Sequence, residues 1–306
     1  MGNMTRSIPA FEAARLFSEI AAERDVFGAS LPTRKIDQKS IALFSVVRNE
    51  VQRLPFFIRY YRDRGVNDFY FVDNESTDGT FECLSDLNVT VVRGRGAFFL
   101  KKLWIDELLK KYGHGRWCIV ADADEFIEWN NSASTPLTQF ITEVEKEGCN
   151  AVGATLVDMI SERGLSDSGY RPGLNPLDFC PYFHPEIELR RLMFGVSPCL
   201  QKVPLLKYMT SMDLAPGHHT LKGAKQSLRR MCILHFKFLF GFDSPCRKDI
   251  YLRSKRGYAI DYEYFQENEA YLQRMQVARQ KFMQIRPSLQ LYWRPDTIIK
   301  LCENLL

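Results

Sequence analysis

Three apolar runs of strand length each end abruptly in a polar cluster, and no other feature of the chain constrains its fold as much. Ile41-Ala42-Leu43-Phe44-Ser45-Val46-Val47 gives way to Arg48-Asn49-Glu50. Phe69-Tyr70-Phe71-Val72 gives way to Asp73-Asn74-Glu75-Ser76-Thr77-Asp78-Gly79-Thr80. Trp117-Cys118-Ile119-Val120-Ala121 gives way to Asp122-Ala123-Asp124-Glu125-Phe126. Continuous apolar runs are what parallel strands buried on both faces require. The stretch from Leu54 to Arg64 reads as a helix, with Pro55 in its first turn and Gly65 just past its end. A short helix around 80–86, a strand at 89–92 and a helix over 100–112 complete the alternation. The pattern predicts a mainly parallel α/β sheet flanked by helices. Open sheets of this kind bind ligands outside the carboxyl ends of their strands. Three polar clusters at three such ends therefore imply one shared site.

The chain has 306 residues, 45% of them hydrophobic, enough for one large α/β domain with appendages. Residues 8–24 read as an amphipathic helix that docks on the main domain or touches a membrane surface, and 25–38 as a linker. A central domain is expected over 39–240, and a helical C-terminal extension over 241–306. Past Asp124 the pattern suggests a helix near 136–147, a strand at 151–157 and a long Gly-, Pro- and Ser-rich loop over 161–188. Further strands are expected near 188–194, 200–208 and 230–236. The net charge of +4 is too mild for a nucleic-acid-binding surface. Eight cysteines occur with no C-x-x-C pair, which argues against a zinc ribbon and for reduced thiols in a cytoplasmic protein. No uninterrupted apolar window of about 18 residues exists, so no membrane span is expected.

The triplet Asp122-Ala123-Asp124 carries the clearest chemistry. Alternation along an extended chain puts Asp122 and Asp124 on one side, with Ala123 facing away. Carboxylates so close repel and are costly to desolvate unless a cation compensates. Mg2+ or Mn2+ would do so, held by one or two carboxylates together with phosphate oxygens. Asp73, immediately at a strand end, can accept a hydrogen bond from a base N–H or a ribose hydroxyl. Ser76 to Thr80 also suit a turn and a helix cap. Gly94-Arg95-Gly96 lacks the third glycine of a dinucleotide fingerprint, and no P-loop motif is present.

The three clusters, in this order and at these spacings, resemble the motifs of family 2-like glycosyltransferases of the GT-A fold. The Asp-Glu-Phe ending is similar to the branch that includes the family 92 (DUF23-like) enzymes. The resemblance covers roughly 40–240. It implies a nucleotide-diphosphate sugar donor, a carbohydrate or lipid-linked acceptor and an inverting reaction. Arg48, Asn49, Glu50 and Asp73, with Asn74 and Asp78 of the same cluster, would line the nucleotide pocket. Asp122 would contact the ribose or the metal, and Asp124 would hold the metal on the diphosphate. Lys101 or Lys102 would approach the phosphates. GT-A enzymes often bring a late histidine to the metal, and His235 and His219 are the candidates here; His218 stands beside the second of them. Lys237 is a further candidate for neutralising phosphate charge.

An inverting transfer needs a carboxylate to take the acceptor hydroxyl's proton. Asp158, at the end of the strand after the triplet, is the first candidate, followed by Glu186, Glu188 and Asp213. Two other readings compete: a phosphohydrolase of the haloacid-dehalogenase type, and a non-catalytic sugar-binding protein on a degenerate transferase fold. In the first, a small residue is expected where Phe126 stands. Against the second, slow metal-dependent hydrolysis of a sugar nucleotide would identify an enzyme.

Overall fold

In the computed structural model the described residues are 27, 30–96, 100–187, 189–195, 198–240 and 269–292. Among them the strands are β1 (Ile41–Val47), β2 (Val66–Asp73), β3 (Thr90–Arg93), β4 (Trp117–Val120), β5 (Glu125–Trp129) and β6 (Ala151–Asp158). They continue as β7 (Tyr182–Phe183), β8 (Gln201–Lys207), β9 (Asp213–Leu214), β10 (Leu221–Lys222), β11 (Met231–His235) and β12 (Gln290–Leu291). The α-helices are α1 (Leu54–Asp63), α2 (Thr80–Asp86), α3 (Lys101–Leu108), α4 (Leu137–Lys146), α5 (Leu189–Phe194) and α6 (Glu269–Ile285). A π-helical turn, Leu109–Gly113, extends α3.

One sheet of eight strands dominates, in the order β3-β2-β1-β4-β8-β6-β11-β5. Strands β3, β2, β1, β4, β6 and β11 run parallel, whereas β8 and β5 run against them. This is the mainly parallel, mixed, helix-flanked sheet that the strand–helix alternation predicts. Along β1 the side chains divide by alternation: Ile41, Leu43 and Val47 enter one core, and Ala42, Phe44 and Val46 the other. The first core is closed by α1 and α4 through Leu54, Phe57, Phe140 and Val144. The second is closed by α3 and the π-turn through Trp104, Leu108 and Tyr112. Burial on both faces explains why these strands read as unbroken apolar runs.

The sheet cannot be flat. Four strand spacings separate β4 from β5, on the order of 19 Å in a flat sheet. Only residues 121–124 join them, and their path is tightened by a bond from Glu125 N to Asp122 O of 2.9 Å. The five steps from Val120 to Glu125 extend to roughly 18 Å at most, and the turn at Asp122 shortens them. The sheet therefore curls until its β5 edge returns toward β4, and the acidic triplet bridges the mouth of the curl.

Several expectations are corrected. The region near 188–194 forms the helix α5, not a strand: Leu189 and Met193 are buried at helical spacing. The long loop expected over 161–188 is largely irregular across its described residues 161–187, which add a 3-10 turn at Pro176–Asp178 and the short strand β7 paired to β12. Its Leu165 joins Ile160, Leu189, Met193, Phe238, Ala278 and Phe282 in a third apolar cluster. Strand β5, which the sequence pattern did not suggest, follows the acidic triplet directly. The proposed helix at 8–24 lies outside the described residues, as does the tail over 241–268. The described cysteines, Cys83, Cys118, Cys149, Cys180, Cys199 and Cys232, are all free thiols. Among the described residues no helix is long and apolar enough to cross a membrane.

Candidate active site

Because six strands run one way, their carboxyl ends share one edge of the sheet. Strand register places Val47 opposite Asp73, and His235 between Asp158 and Glu125. The antiparallel strands β8 and β5 begin on this edge, which adds Lys202 and Glu125 to it. Asp73 on β2 and Asp122 beyond β4 are separated by β1 alone, so they stand about 10 Å apart along the edge. The three polar clusters thus line one edge of the sheet, as their positions at strand ends predict.

At one end of this mouth Asp73 is fully buried. Its Oδ2 accepts a bond from Ser76 N at 3.3 Å and lies 3.6 Å from the Arg93 guanidinium. Its Oδ1 has no hydrogen-bond partner among the described residues. Burial pushes the Asp73 carboxyl above its usual range, against the pull of Ser76 and Arg93. A buried carboxylate oxygen left unpaired is costly, so this atom calls for a donor.

The loops after β1 and β2 are latched together. Asn49 N donates to Ser76 Oγ at 2.9 Å, and Asn49 Oδ1 accepts from Thr77 N at 2.8 Å. Glu50 N donates to Thr80 Oγ1 at 2.8 Å, and Glu50 Oε2 accepts from Arg53 Nη1 at 2.6 Å. Asp78 caps the same turn, accepting from Thr80 N at 3.0 Å and from Val51 N at 3.3 Å. Arg48 donates to Asn74 O at 2.7 Å, and Asn74 Nδ2 donates to Gly96 O at 2.9 Å. Asn49, Glu50 and Asp78 therefore hold the loops that frame the mouth. Gly94 belongs to the same frame: a Cβ there would stand 2.4 Å from Val72 Cγ1.

The middle of the mouth is a charge cluster. Asp122 is ion-paired with Lys101, and its Oδ2 lies 3.6 Å from Lys202 Nζ. Lys202, buried at the start of β8, is ion-paired with Glu125. Burial works to raise the Asp122 carboxyl, but Lys101, Lys202 and His218 hold it well below the ordinary range. Burial likewise works to lower the Lys202 ammonium, and Glu125 and Asp122 overcome it and raise it. The adjacent carboxylates are thus compensated from within by two lysines, as burial of like charges demands. Lys101 provides this contact; Lys102 turns away to Asp106 at 2.7 Å and Asp213 at 3.0 Å.

At the other end a relay of charged side chains runs through His235. Its Nδ1 lies 2.6 Å from Asp158 Oδ1 and its Nε2 3.5 Å from Asp124 Oδ2. Asp158 also accepts from Arg190 Nε at 2.6 Å. Burial works to lower the His235 pKa, but Asp124 and Asp158 outweigh it and raise it above the ordinary value. Burial works to raise the Asp158 carboxyl, and Arg190 and His235 hold it well below the usual range.

Among the described residues, Asp124, Glu125 and His235 are the group whose potential metal-ligating atoms come within 4.8 Å of one another. Glu125 already serves Lys202 and the backbone N–H of Asp122, which leaves Asp124 and His235 as the better donors. His219, expected at the metal, turns its Nδ1 to Gln201 O at 2.8 Å and is not part of this group. Asp122 is likewise outside it, engaged with Lys101. Asp158, expected as a base, has both oxygens occupied by Arg190 and His235 in a buried position; a carboxylate so held is a weak proton acceptor. Asp213, another candidate base, is paired with Lys102. Sequence reading passed over Lys202, gave Arg190 no role in the site, and named His218 only beside His219. The signal for Lys202 was a lysine opening the apolar run Val203-Pro204-Leu205-Leu206.

No family model matches the chain, and no curated protein matches it in sequence. Solved structures resemble the chain at low scores. The chain is similar to the mannosyltransferase PcManGT from Pyrobaculum calidifontis in complex with GDP-Man and Mn2+, with 12% identity over 96% of this chain and 87% of that chain and a TM-score of 0.37. It is similar to a 4-diphosphocytidyl-2C-methyl-D-erythritol synthase, with 14% identity over 45% of this chain and 68% of that chain and a TM-score of 0.28. A UDP-glucose pyrophosphorylase from acinetobacter baumanii matches with 11% identity over 44% of this chain and 63% of that chain, with a TM-score of 0.26. At these identities and scores the likeness carries no weight for function.

Proposed function

We propose that the chain is a metal-dependent glycosyltransferase that takes a sugar from a nucleotide-diphosphate donor and passes it to a carbohydrate or lipid-linked acceptor. The observation that carries this reading is the spacing along one edge: an unpaired buried oxygen on Asp73, then two lysines at Asp122, then the Asp124–His235 pair. Those positions suit, in order, the base or ribose, the diphosphate and the divalent cation of one extended ligand. Arg48 and Asn74 would shape the nucleoside end.

The donor set fits Mn2+ or Mg2+. Asp124 offers a hard oxygen. His235, donating its Nδ1–H to Asp158, would present the Nε2 lone pair on the Asp124 side. Asp158 is then a positioning residue for the imidazole, in place of the base role expected from sequence. Arg190 keeps Asp158 ionised. A bound divalent cation would supply charge stabilisation for the departing diphosphate. The chain's own contribution is to hold the diphosphate oxygens near Lys101 and Lys202, so that the negative charge developing on the leaving group meets preplaced cations. Burial of Lys202 and His235 strengthens the interactions they make.

The test is release of nucleoside diphosphate from a panel of sugar nucleotides, followed by chromatography, with Mn2+ present. The wild-type protein should hydrolyse at least one donor slowly, and Asp124→Ala should lose that activity while keeping its circular dichroism spectrum. Activity retained in Asp124→Ala would remove the metal assignment. Phosphate release from monoesters with no turnover of sugar nucleotides would favour a phosphohydrolase.

A further inference from the structure

We propose that His218 is part of the donor pocket and contacts the diphosphate directly, its ring donating to a phosphoryl oxygen held between Lys101 and Lys202. This deepens the transferase reading and rests on it.

His218 is buried to 2% exposure, and neither of its ring nitrogens has a hydrogen-bond partner among the described residues. Buried polar atoms in folded proteins are nearly always paired, so two orphaned nitrogens on one ring call for an explanation. The neighbouring His219 shows the contrast: its Nδ1 is anchored on Gln201 O at 2.8 Å. One histidine of the pair is tied to the protein, and the other is left with its hydrogen-bonding capacity unspent.

The backbone is set to bring that ring to the mouth. His218 has φ 61°, in the left-handed region, directly after Gly217 with φ 71°. A side-chain-bearing residue is disfavoured there and persists only where its surroundings hold it. The turn Pro216–His218 lies against α3, which carries Lys101, and against β8, which carries Lys202. Lys101, Lys202 and Asp122 all lie near enough to act electrostatically on the ring.

The charges around the ring select the ligand. A second cation at His218 would meet two ammonium groups. A diphosphate would instead satisfy both lysines, accept from the imidazole, and release Asp122 from Lys101. Asp122 would then be available to the ribose or to the metal held by Asp124 and His235. Asp122 is thus occupied by Lys101 when the donor is absent and freed when the donor arrives.

The test is calorimetric titration of inorganic pyrophosphate into the full chain at fixed Mg2+, for wild type, His218→Asn and His218→Ala. Asparagine tolerates the left-handed backbone, so His218→Asn isolates the loss of the ring. Mn2+ binding without pyrophosphate, read by electron paramagnetic resonance, is measured in parallel. The expected result is that pyrophosphate affinity falls roughly tenfold or more in both variants, the scale of one hydrogen bond to a charged group, with Mn2+ affinity unchanged. Unchanged pyrophosphate affinity in the variants, or Mn2+ affinity falling in step with it, would overturn the assignment and leave the transferase reading standing. A wild-type protein that binds Mn2+ but no pyrophosphate would overturn both. If neither variant folds, the ring nitrogen resonances of His218 in the wild-type protein decide. A shift on adding pyrophosphate supports the contact, and no shift overturns it.

Discussion

His235 Nδ1 lies 2.6 Å from Asp158 Oδ1, while its Nε2 lies on the side of Asp124. Asp158 is buried and tied to Arg190, whereas Asp124 is more open; on the proposed reading the first orients the ring and the second offers an oxygen to the metal. Carboxylates behind a ligating histidine typically contribute ten- to hundredfold to metal affinity. Asp158→Asn should therefore weaken Mn2+ binding by about that factor, measured by electron paramagnetic resonance titration. An unchanged affinity would detach Asp158 from the site.

Removing Asp158 also bears on stability. Arg190 would be left buried without its carboxylate, and breaking such a pair typically costs about 3–5 kcal/mol. Asp158→Ala should show a loss of that size in urea unfolding, while Asp158→Ala combined with Arg190→Met should recover part of it.

The pH dependence follows from the same carboxylate. Its folded-state pKa lies below the unfolded value of about 3.9. The unfolded chain therefore binds more protons than the folded one in that range, and stability rises with pH there. The contribution of Asp158 is fully present above about pH 4 and is lost as the pH falls toward its folded-state pKa. Asp122, depressed by Lys101 and Lys202, adds to the same window. Urea unfolding between roughly pH 2.5 and 6 should show this slope, and Asp158→Asn should flatten it.

Much of the sheet was legible in the chain itself. Strands β1, β2, β4, β6, β8 and β11 follow apolar runs that need no partner to be recognised, because burial on both faces leaves no polar alternation, and the half-buried edge strand β3 is short but apolar at Val91 and Val92. Strand β5 was not legible. Its Glu125 and Glu128 look like surface residues, yet both are buried: Glu125 pairs with Lys202, and Glu128 with Arg64 at 2.6 Å and the Tyr60 hydroxyl at 2.8 Å. Those partners lie 64 to 77 residues away in the chain, so local reading cannot supply them. The site divides in the same way. Asp73, Asp122 and Asp124 announce themselves at strand ends. The Arg190–Asp158–His235 relay depends on the register of β6 against β11 and on a helix that the local pattern suggested as a strand.

Phe126 illustrates how the core supports the acidic triplet. Its ring lies 4.8 Å from that of Tyr60 and 5.4 Å from that of Phe236, beside Glu125 and on the strand paired with β11. Phe126→Ala should cost about 3–5 kcal/mol in denaturant unfolding. A loss below about 1 kcal/mol, small against that figure, would mean that the curl of the sheet does not depend on this contact.

On the proposed reading, Lys101 would compete with a metal for Asp122. Lys101→Met should lower the thermal stability of the metal-free protein, because the half-buried Asp122 carboxylate loses a counter-ion. Mn2+ should then raise the melting temperature by more than it does in wild type, since binding to the folded form stabilises it. An equal Mn2+ shift in both proteins would show that Lys101 does not guard the site.

The central claim is that Asp73 and Asp124 grip opposite ends of one ligand. Calorimetric titration of UDP and GDP, with Mn2+ and with EDTA, into wild type, Asp73→Asn and Asp124→Asn tests it most directly. Binding of at least one nucleotide should require Mn2+, and each substitution should weaken it tenfold or more. Nucleotide affinity that is the same in EDTA as in Mn2+, or that is indifferent to Asp73→Asn, would contradict the account.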